Sequence, residues 1–261
     1  MIFFLAGTSD ARALALLLKE NGYDLLATVV TENAANSLRE SGLDVQVGRL
    51  TSDDMTAIIQ SKKARAVVDA SHPFAEEASK NASQAAKKAN VPYIRYERES
   101  QTFQHEKVTV VDGYEEAAAL AKEKKGVVML TTGSKTLQIF TETLRDCNDI
   151  RLVARMLPRK DNMEKCQQLG VEQKNIVAMQ GPFSKALNKA LYEHYGVTLM
   201  VTKESGKVGA VDEKLAAALE MGIETIIIKR PKIHYENVYS HFDDVLQALK
   251  HVFSDEKFPI Q

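Results

Sequence analysis

Two turns in this chain carry residue types suited to holding anions. The first lies in Val67-Val68-Asp69-Ala70-Ser71-His72-Pro73-Phe74-Ala75. A short β-branched run stops at small and polar residues and restarts as a helix. Pro73 suits a first helical turn, where a missing N–H costs nothing. Ser71 and His72 then stand between the carboxyl end of a strand and the amino end of a helix. Unpaired backbone N–H groups and the positive end of the helix dipole gather there and favour anionic or electron-rich ligands. A Ser71 that only caps the helix and a His72 that is only structural explain the same residues. The second turn is Leu5-Ala6-Gly7-Thr8-Ser9-Asp10. Gly7 permits a tight turn and close backbone approach, and Thr8 and Ser9 can offer hydroxyls to a diphosphate above the helix terminus. Only the first glycine of the Gly-x-Gly-x-x-Gly fingerprint is present, and Asp10 brings negative charge near the phosphate position. An ordinary capped helix is therefore the competing reading. Thr31-Glu32 follows the next strand pattern, where dinucleotide folds meet the adenosine ribose. Glu32 there favours a free 2′-hydroxyl, nearby Arg39 keeps a 2′-phosphate open, and Glu32 simply starting a helix is the alternative.

The elements that must position these turns alternate along the chain. Strand patterns at 2–6, 25–30, 45–48, 66–70 and 93–96 are separated by helical patterns at 11–19, 33–40, 55–61 and 75–89. The strands are short continuous apolar runs, as expected when both sheet faces are covered. A parallel, doubly wound sheet with right-handed crossovers follows. A second series places strands at 108–111, 127–130, 152–154, 176–179, 199–201 and 226–228, with helices at 114–122, 137–144, 186–194, 213–220 and 243–251. The polar, aperiodic stretch 98–107 is the linker between them. The expected fold class is α/β, with two Rossmann-like domains, mainly parallel sheets and an interdomain cleft. Residues 1–100 would form the nucleotide-binding domain and 107–261 a second domain contributing substrate binding.

Composition excludes several function classes. The 261 residues are 44% hydrophobic, enough for a sizeable core, and the net charge of -1 gives no nucleic-acid-binding surface. No apolar run approaches a membrane span, and the apolar start Met1–Gly7 lacks the basic leader of a signal sequence. Cys147 and Cys166 have no metal-like spacing and read as reduced thiols of a cytoplasmic protein. His234, His241 and His251 are separated and lack a carboxylate-rich set, so no protein-bound metal is expected.

An ordered set of motifs then carries a family resemblance. Gly7-Thr8-x-x-Ala11-Arg12, Gly48-Arg49-Leu50, Asp69-Ala70-Ser71-His72-Pro73-Phe74-Ala75 and Arg95-Tyr96-Glu97-Arg98 occupy the first half. Thr132-Gly133-Ser134-Lys135-x-Leu137, Ala154-Arg155-x-Leu157-Pro158, Gln180-Gly181-Pro182-Phe183-Ser184, Thr202-Lys203-Glu204-Ser205-Gly206 and Lys229-Arg230-Pro231 continue it. Together they resemble the precorrin-6A reductase family of cobalamin biosynthesis over nearly the whole chain. The family pattern often has a basic residue directly after Thr-x-Gly; here Ser134 comes first and Lys135 second. The resemblance implies a cytoplasmic two-domain reductase that uses NADPH or NADH. It would reduce one carbon–carbon double bond of precorrin-6A, or of its cobalt form, to give precorrin-6B or the cobalt counterpart. A tetrapyrrole would be the substrate, with transient contacts to other enzymes of the pathway and no nucleic-acid or membrane partner.

Under that reading Gly7, Thr8, Ser9, Thr31, Ser71, His72 and Phe74 hold the nucleotide. A flat ring fringed with carboxylates needs apolar surface and cations at its rim. Arg49, Arg95, Arg98, Lys135, Arg155, Lys203, Lys229 and Arg230 recur near expected strand ends. Arginine suits paired contacts with carboxylates and lysine acts as a point charge. Any one of them alone is as readily a solvated surface charge. Gly133-Ser134-Lys135 opens a helix and can turn N–H groups to a substrate carboxylate. Gln180 and Phe183 form a tight turn that can line the ring, and Ser205 completes the substrate set. Tyr96 packs either on the ring or in the core. Lys203 is the expected proton donor, because it lies at a strand end and can be desolvated by the bound ring. Pairing of Lys203 with a substrate carboxylate, with water giving the proton, is the alternative. Two other classes stay open: an S-adenosylmethionine-dependent methyltransferase and a non-catalytic dinucleotide sensor. A short-chain dehydrogenase would need Tyr-x-x-x-Lys, but Tyr192 is followed four places on by Gly196 and Tyr114 by Ala118.

Overall fold

A computed structural model describes residues 1–100, 103–204 and 212–254. The chain first forms β1 (Ile2–Leu5), α1 (Ser9–Glu20), β2 (Leu25–Val29), α2 (Glu32–Arg39), β3 (Asp44–Val47), α3 (Ser52–Ser61), β4 (Ala66–Asp69), α4 (Glu76–Ala89) and β5 (Tyr93–Tyr96). Next come β6 (Val108–Val111), α5 (Tyr114–Lys124), β7 (Gly126–Leu130), α6 (Leu137–Leu144), β8 (Ile150–Met156), α7 (Lys160–Gln168), β9 (Ile176–Ala178), α8 (Lys185–Tyr195), β10 (Leu199–Lys203), α9 (Glu213–Glu220) and β11 (Glu224–Ile228). The chain ends with β12 (Val238–Tyr239) and α10 (Phe242–Phe253).

The first sheet runs β12-β5-β4-β1-β2-β3, and every neighbouring pair is parallel. This is the doubly wound dinucleotide-binding order, with its reversal of direction between β1 and β4. Alternate strand residues serve opposite faces, as a pleat requires. Ile2, Phe4 and Val68 pack with the apolar stripe Ala11, Leu14, Ala15 and Leu18 of α1 and with Val245 and Leu249 of α10. Phe3, Leu5 and Val67 face Met55 and Ile59 of α3 and Ala82 and Ala85 of α4. The second sheet runs β6-β11-β10-β7-β8-β9, again all parallel, with its reversal between β7 and β10. On one of its faces Met129, Val153, Met200 and Ile227 pack with Tyr192 of α8 and Leu215 and Ala218 of α9.

The domain division differs from the one expected. The compact units are Met1–Glu99 together with the chain from Pro231 on, and Ser100–Arg230. The expected second domain, 107–261, therefore loses its end to the first. The physical reason is that β5 would otherwise be a bare edge: β12 pairs with it at Val238↔Arg95 and Tyr239↔Tyr96, and α10 fills the adjoining core. One α-helix and one strand were not expected. Helix α7 buries only Cys166, so its sequence shows almost no apolar stripe. Strand β12 has two residues, too few for any periodicity. The chain after β4 also differs in detail. Pro73 lies in a turn before the helix, and α4 starts only at Glu76, with Ala75 at its cap position and no side-chain cap.

Candidate active site

Each sheet gathers candidate residues at its own switch point, where open parallel sheets leave a crevice for ligands. In the first unit, the turn after β1 lies beside the turn after β4, since Leu5 pairs with Asp69 and the Ala70 N–H donates to the Leu5 carbonyl at 3.0 Å. Gly7 has φ +135°, and a Cβ there would meet no atom within 4 Å, so the turn is both glycine-dependent and open. Thr8 caps α1: its Oγ1 accepts from the Ala11 N–H at 3.0 Å. Ser9 is exposed on the first helical turn, and Asp10 is ion-paired with Arg98. Thr31 caps α2 in the same manner. Glu32 and Arg39, the two residues expected to bear on nucleotide choice, pair with each other at 2.8 Å. Arg49 is exposed just beyond β3.

After β4 the side chains part company. His72 is exposed, its Nδ1 accepts from the Phe74 N–H at 3.2 Å, and the two rings lie 5.7 Å apart. Ser71 is neither a helix cap nor a surface ligand. It is buried, its N–H donates to Asp69 Oδ1 at 2.9 Å, and its Oγ meets Arg95 Nη1 at 3.2 Å and Ser79 Oγ at 3.3 Å. Arg95 corrects the expectation more sharply. It is 0% exposed and lies across from Asp69 in the strand pairing, with Nη1 2.9 Å from the Asp69 carboxylate and Nη2 3.0 Å from Glu97. It is therefore a locked internal cation and not part of a substrate rim. Tyr93 Oη donates to Asp69 Oδ2 at 2.7 Å, and Tyr235 lies under the guanidinium at 5.3 Å. Burial pushes the Asp69 carboxyl up, but Arg95 and the hydrogen bonds from Ser71, Ser79 and Tyr93 outweigh it and hold the group below the ordinary carboxylate range. Tyr96 is core, against Phe242.

The second switch point is different in charge. After β7, Gly133 has φ +80° with open space around it, and Ser134 Oγ donates to Asn162 Oδ1 at 2.5 Å. Lys165 donates to the Lys135 carbonyl at 3.1 Å, so the unexpected helix α7 pins this turn. Lys203 ends β10, the neighbouring strand, with its ammonium 6.0 Å from the Tyr114 ring centre. Burial lowers the Lys203 pKa, and the positive charges of Lys135 and Lys214 lower it further. Arg155, near the end of β8, stands over the Phe183 ring at 4.3 Å and donates to Asn188 Oδ1 at 2.7 Å. Gln180 is exposed in the same turn as Phe183. Ser205 lies outside the described residues.

The sequence matches the family described as "Precorrin-6x reductase CbiJ/CobK" over residues 1–250. The chain belongs to that family. It is 64% identical over 249 residues to a cobalt-precorrin-6A reductase of Priestia megaterium, covering 95% of this chain and 98% of that one. A cobalt-precorrin-6A reductase of Methanothermobacter thermautotrophicus is 34% identical over 261 residues, covering 97% and 85%. A solved structure of "CobK precorrin-6A reductase" superposes with TM-score 0.77 at 23% identity, covering 97% of this chain and 96% of that one, and shows the same fold. As a member of this family the chain is an oxidoreductase of cobalamin biosynthesis, which decides against the methyltransferase and sensor alternatives.

Two groups that serve this family member were missed in the sequence. Asp69 stands in the most conspicuous motif, but only the pairing of β4 with β5 shows that it neutralises Arg95. Glu204 is buried and accepts from Ser100 Oγ at 2.7 Å and from the Arg230 N–H at 3.3 Å, with Arg230 Nε at 3.2 Å. It thus ties together the first and last residues of the second unit. No periodicity signals either role. Among the described residues no helix is long and apolar enough to cross a membrane, and no group of three or more His, Cys, Asp or Glu is placed to hold a metal ion.

Proposed function

We propose that this protein reduces one carbon–carbon double bond of precorrin-6A or, following the name carried by its 64%-identical relative, of cobalt-precorrin-6A, with NADPH or NADH as reductant. The product would be precorrin-6B or its cobalt form. The observation that carries the nucleotide assignment is the open, positive-φ Gly7 turn at the switch point of a sheet in dinucleotide-binding order. The residues fit the group: a diphosphate can approach Gly7 and the exposed Ser9 at the amino end of α1, and Asp10 is neutralised by Arg98. Thr8 and Thr31 shape the turns through their capping bonds, and His72 with Phe74 borders the nicotinamide. Ser71 acts from below, by holding that loop to Asp69 and Arg95. When bound, the nucleotide supplies the hydride.

The second unit does the remaining work in this proposal. Lys135, Lys203 and Arg155 take carboxylates of the macrocycle, the N–H groups of Gly133 and Ser134 add to them, Gln180 and Phe183 line the ring, and Ser205 adds a further substrate contact; Arg49, a residue of the first unit, is a further substrate cation in this reading. Lys203 gives the proton that completes the reduction, and its lowered pKa makes the ammonium a better acid. Reduced thiols at Cys147 and Cys166 suit work in the cytoplasm, with transient contacts to neighbouring enzymes of the pathway. The test is anaerobic incubation with each substrate form and each nucleotide, following both chromophores. Stoichiometric nucleotide oxidation with one macrocycle is expected; no oxidation in any combination would refute the reductant assignment.

A further inference from the structure

Three arginines are buried among the described residues: Arg95, Arg155 and Arg230. Two of them meet carboxylates, Arg95 with Asp69 and Glu97, and Arg230 with Glu204. Arg155 does not. It is 8% exposed, and its partners among the described residues are the neutral amide of Asn188 and the face of Phe183. Burial lowers its pKa, and the one carboxylate among the described residues whose charge it feels, Asp212, is itself paired with Lys214 at 2.8 Å and caps α9. A buried cation without a counter-ion is costly, and a fold that keeps one gains from an anion brought by a ligand.

Asn188 is built to keep this charge unspent. It is 0% exposed in α8, and its Nδ2 donates to the Ser184 carbonyl at 2.9 Å and the Phe183 carbonyl at 3.4 Å. Those bonds turn Oδ1 to Arg155 and hold the guanidinium against the aromatic face. Aspartate would neutralise Arg155 permanently but could not donate to those carbonyls; the amide orients the guanidinium without neutralising it. We propose that Arg155 is the seat of one carboxylate of the macrocycle and that Asn188 is its positioning residue. This deepens the functional reading above and rests on it.

The decisive variant is Asn188→Asp in the full chain. The new carboxylate should give Arg155 a permanent counter-ion, at the cost of the two bonds that the amide donates to the Ser184 and Phe183 carbonyls. It should also weaken binding of the macrocycle about tenfold or more, measured by absorbance titration without nucleotide, and leave the KM for NAD(P)H unchanged. Arg155→Met provides the second arm: equal or higher thermal stability with a similar loss of macrocycle binding. Unchanged macrocycle binding in both variants would overturn the proposal, as would a lower melting temperature in Arg155→Met. Weakened nucleotide binding in their place would mean that the seat takes a phosphate, which also overturns it. Failure of the broader reading looks different: wild-type protein that binds the macrocycle but oxidises neither nucleotide.

Discussion

The two switch points have the same topology and opposite electrostatic character. In the first unit the charges are spent internally: Asp10 on Arg98, Glu32 on Arg39, and Asp69 and Glu97 on Arg95. What such a turn offers is geometry, an open glycine and a capped helix end. In the second unit Lys203 feels the like charges of Lys135 and of Lys214, the latter paired with Asp212, and Arg155 is buried against neutral groups. That turn offers positive charge. The same sheet architecture thus suits a nucleotide held by backbone in one unit and a polycarboxylate held by cations in the other.

The contrast breaks most severely at the buried pair. Arg95→Met leaves Asp69 uncompensated and should destabilise the first unit by about 3–5 kcal/mol, read by urea unfolding. The sign with pH follows from the depressed carboxyl of Asp69. Its contribution is full above the unfolded value of about 3.9 and is lost as pH falls through the folded value, so the variant should lose the wild type's added stability above that point. Next in size, Lys203→Met should lower kcat by about 10²–10⁴ in single-turnover reduction at saturating substrate. A proton donor must be protonated, so wild-type kcat should fall as pH rises through a value below the ordinary lysine pKa of about 10.4, and the variant should lack that limb. An unchanged rate with a raised KM would make Lys203 a carboxylate partner only. Gly7→Val forces a branched residue to φ +135°, at about 1–3 kcal/mol of strain, and should raise the KM for nucleotide without changing that for the macrocycle. The smallest effect is at Arg39→Ala, which frees Glu32 and should shift preference a few-fold from NADPH to NADH, measured as the ratio of kcat/KM values.

Much of this was legible because its signals are local. Continuous apolar runs with helical stripes between them specify two parallel sheets, and Thr8 and Thr31 cap the helices that their positions suggest. What escaped depends on partners distant in sequence. By position alone Arg95 and Lys203 are equivalent cations at strand ends. Only the register that sets Asp69 across from Arg95 makes one structural and leaves the other beside two further lysines. In the sequence Ser71 reads as a helix cap or a nucleotide contact, because Pro73 suits a first helical turn, but the helix starts only at Glu76 and the hydroxyl turns inward. The return of β12 and α10 to the first unit was hidden because a two-residue strand has no pattern, and an edge in need of cover is visible only once the sheet is assembled.

The division of labour is tested most directly by crossing one substitution from each unit against both ligands. Ser9→Asp suits the helix dipole, so the fold should hold while its carboxylate repels a diphosphate; Arg155→Met removes the buried cation. KM for NAD(P)H should rise only in the first variant, and KM for the macrocycle only in the second. A raised macrocycle KM in Ser9→Asp together with a raised nucleotide KM in Arg155→Met would contradict the account.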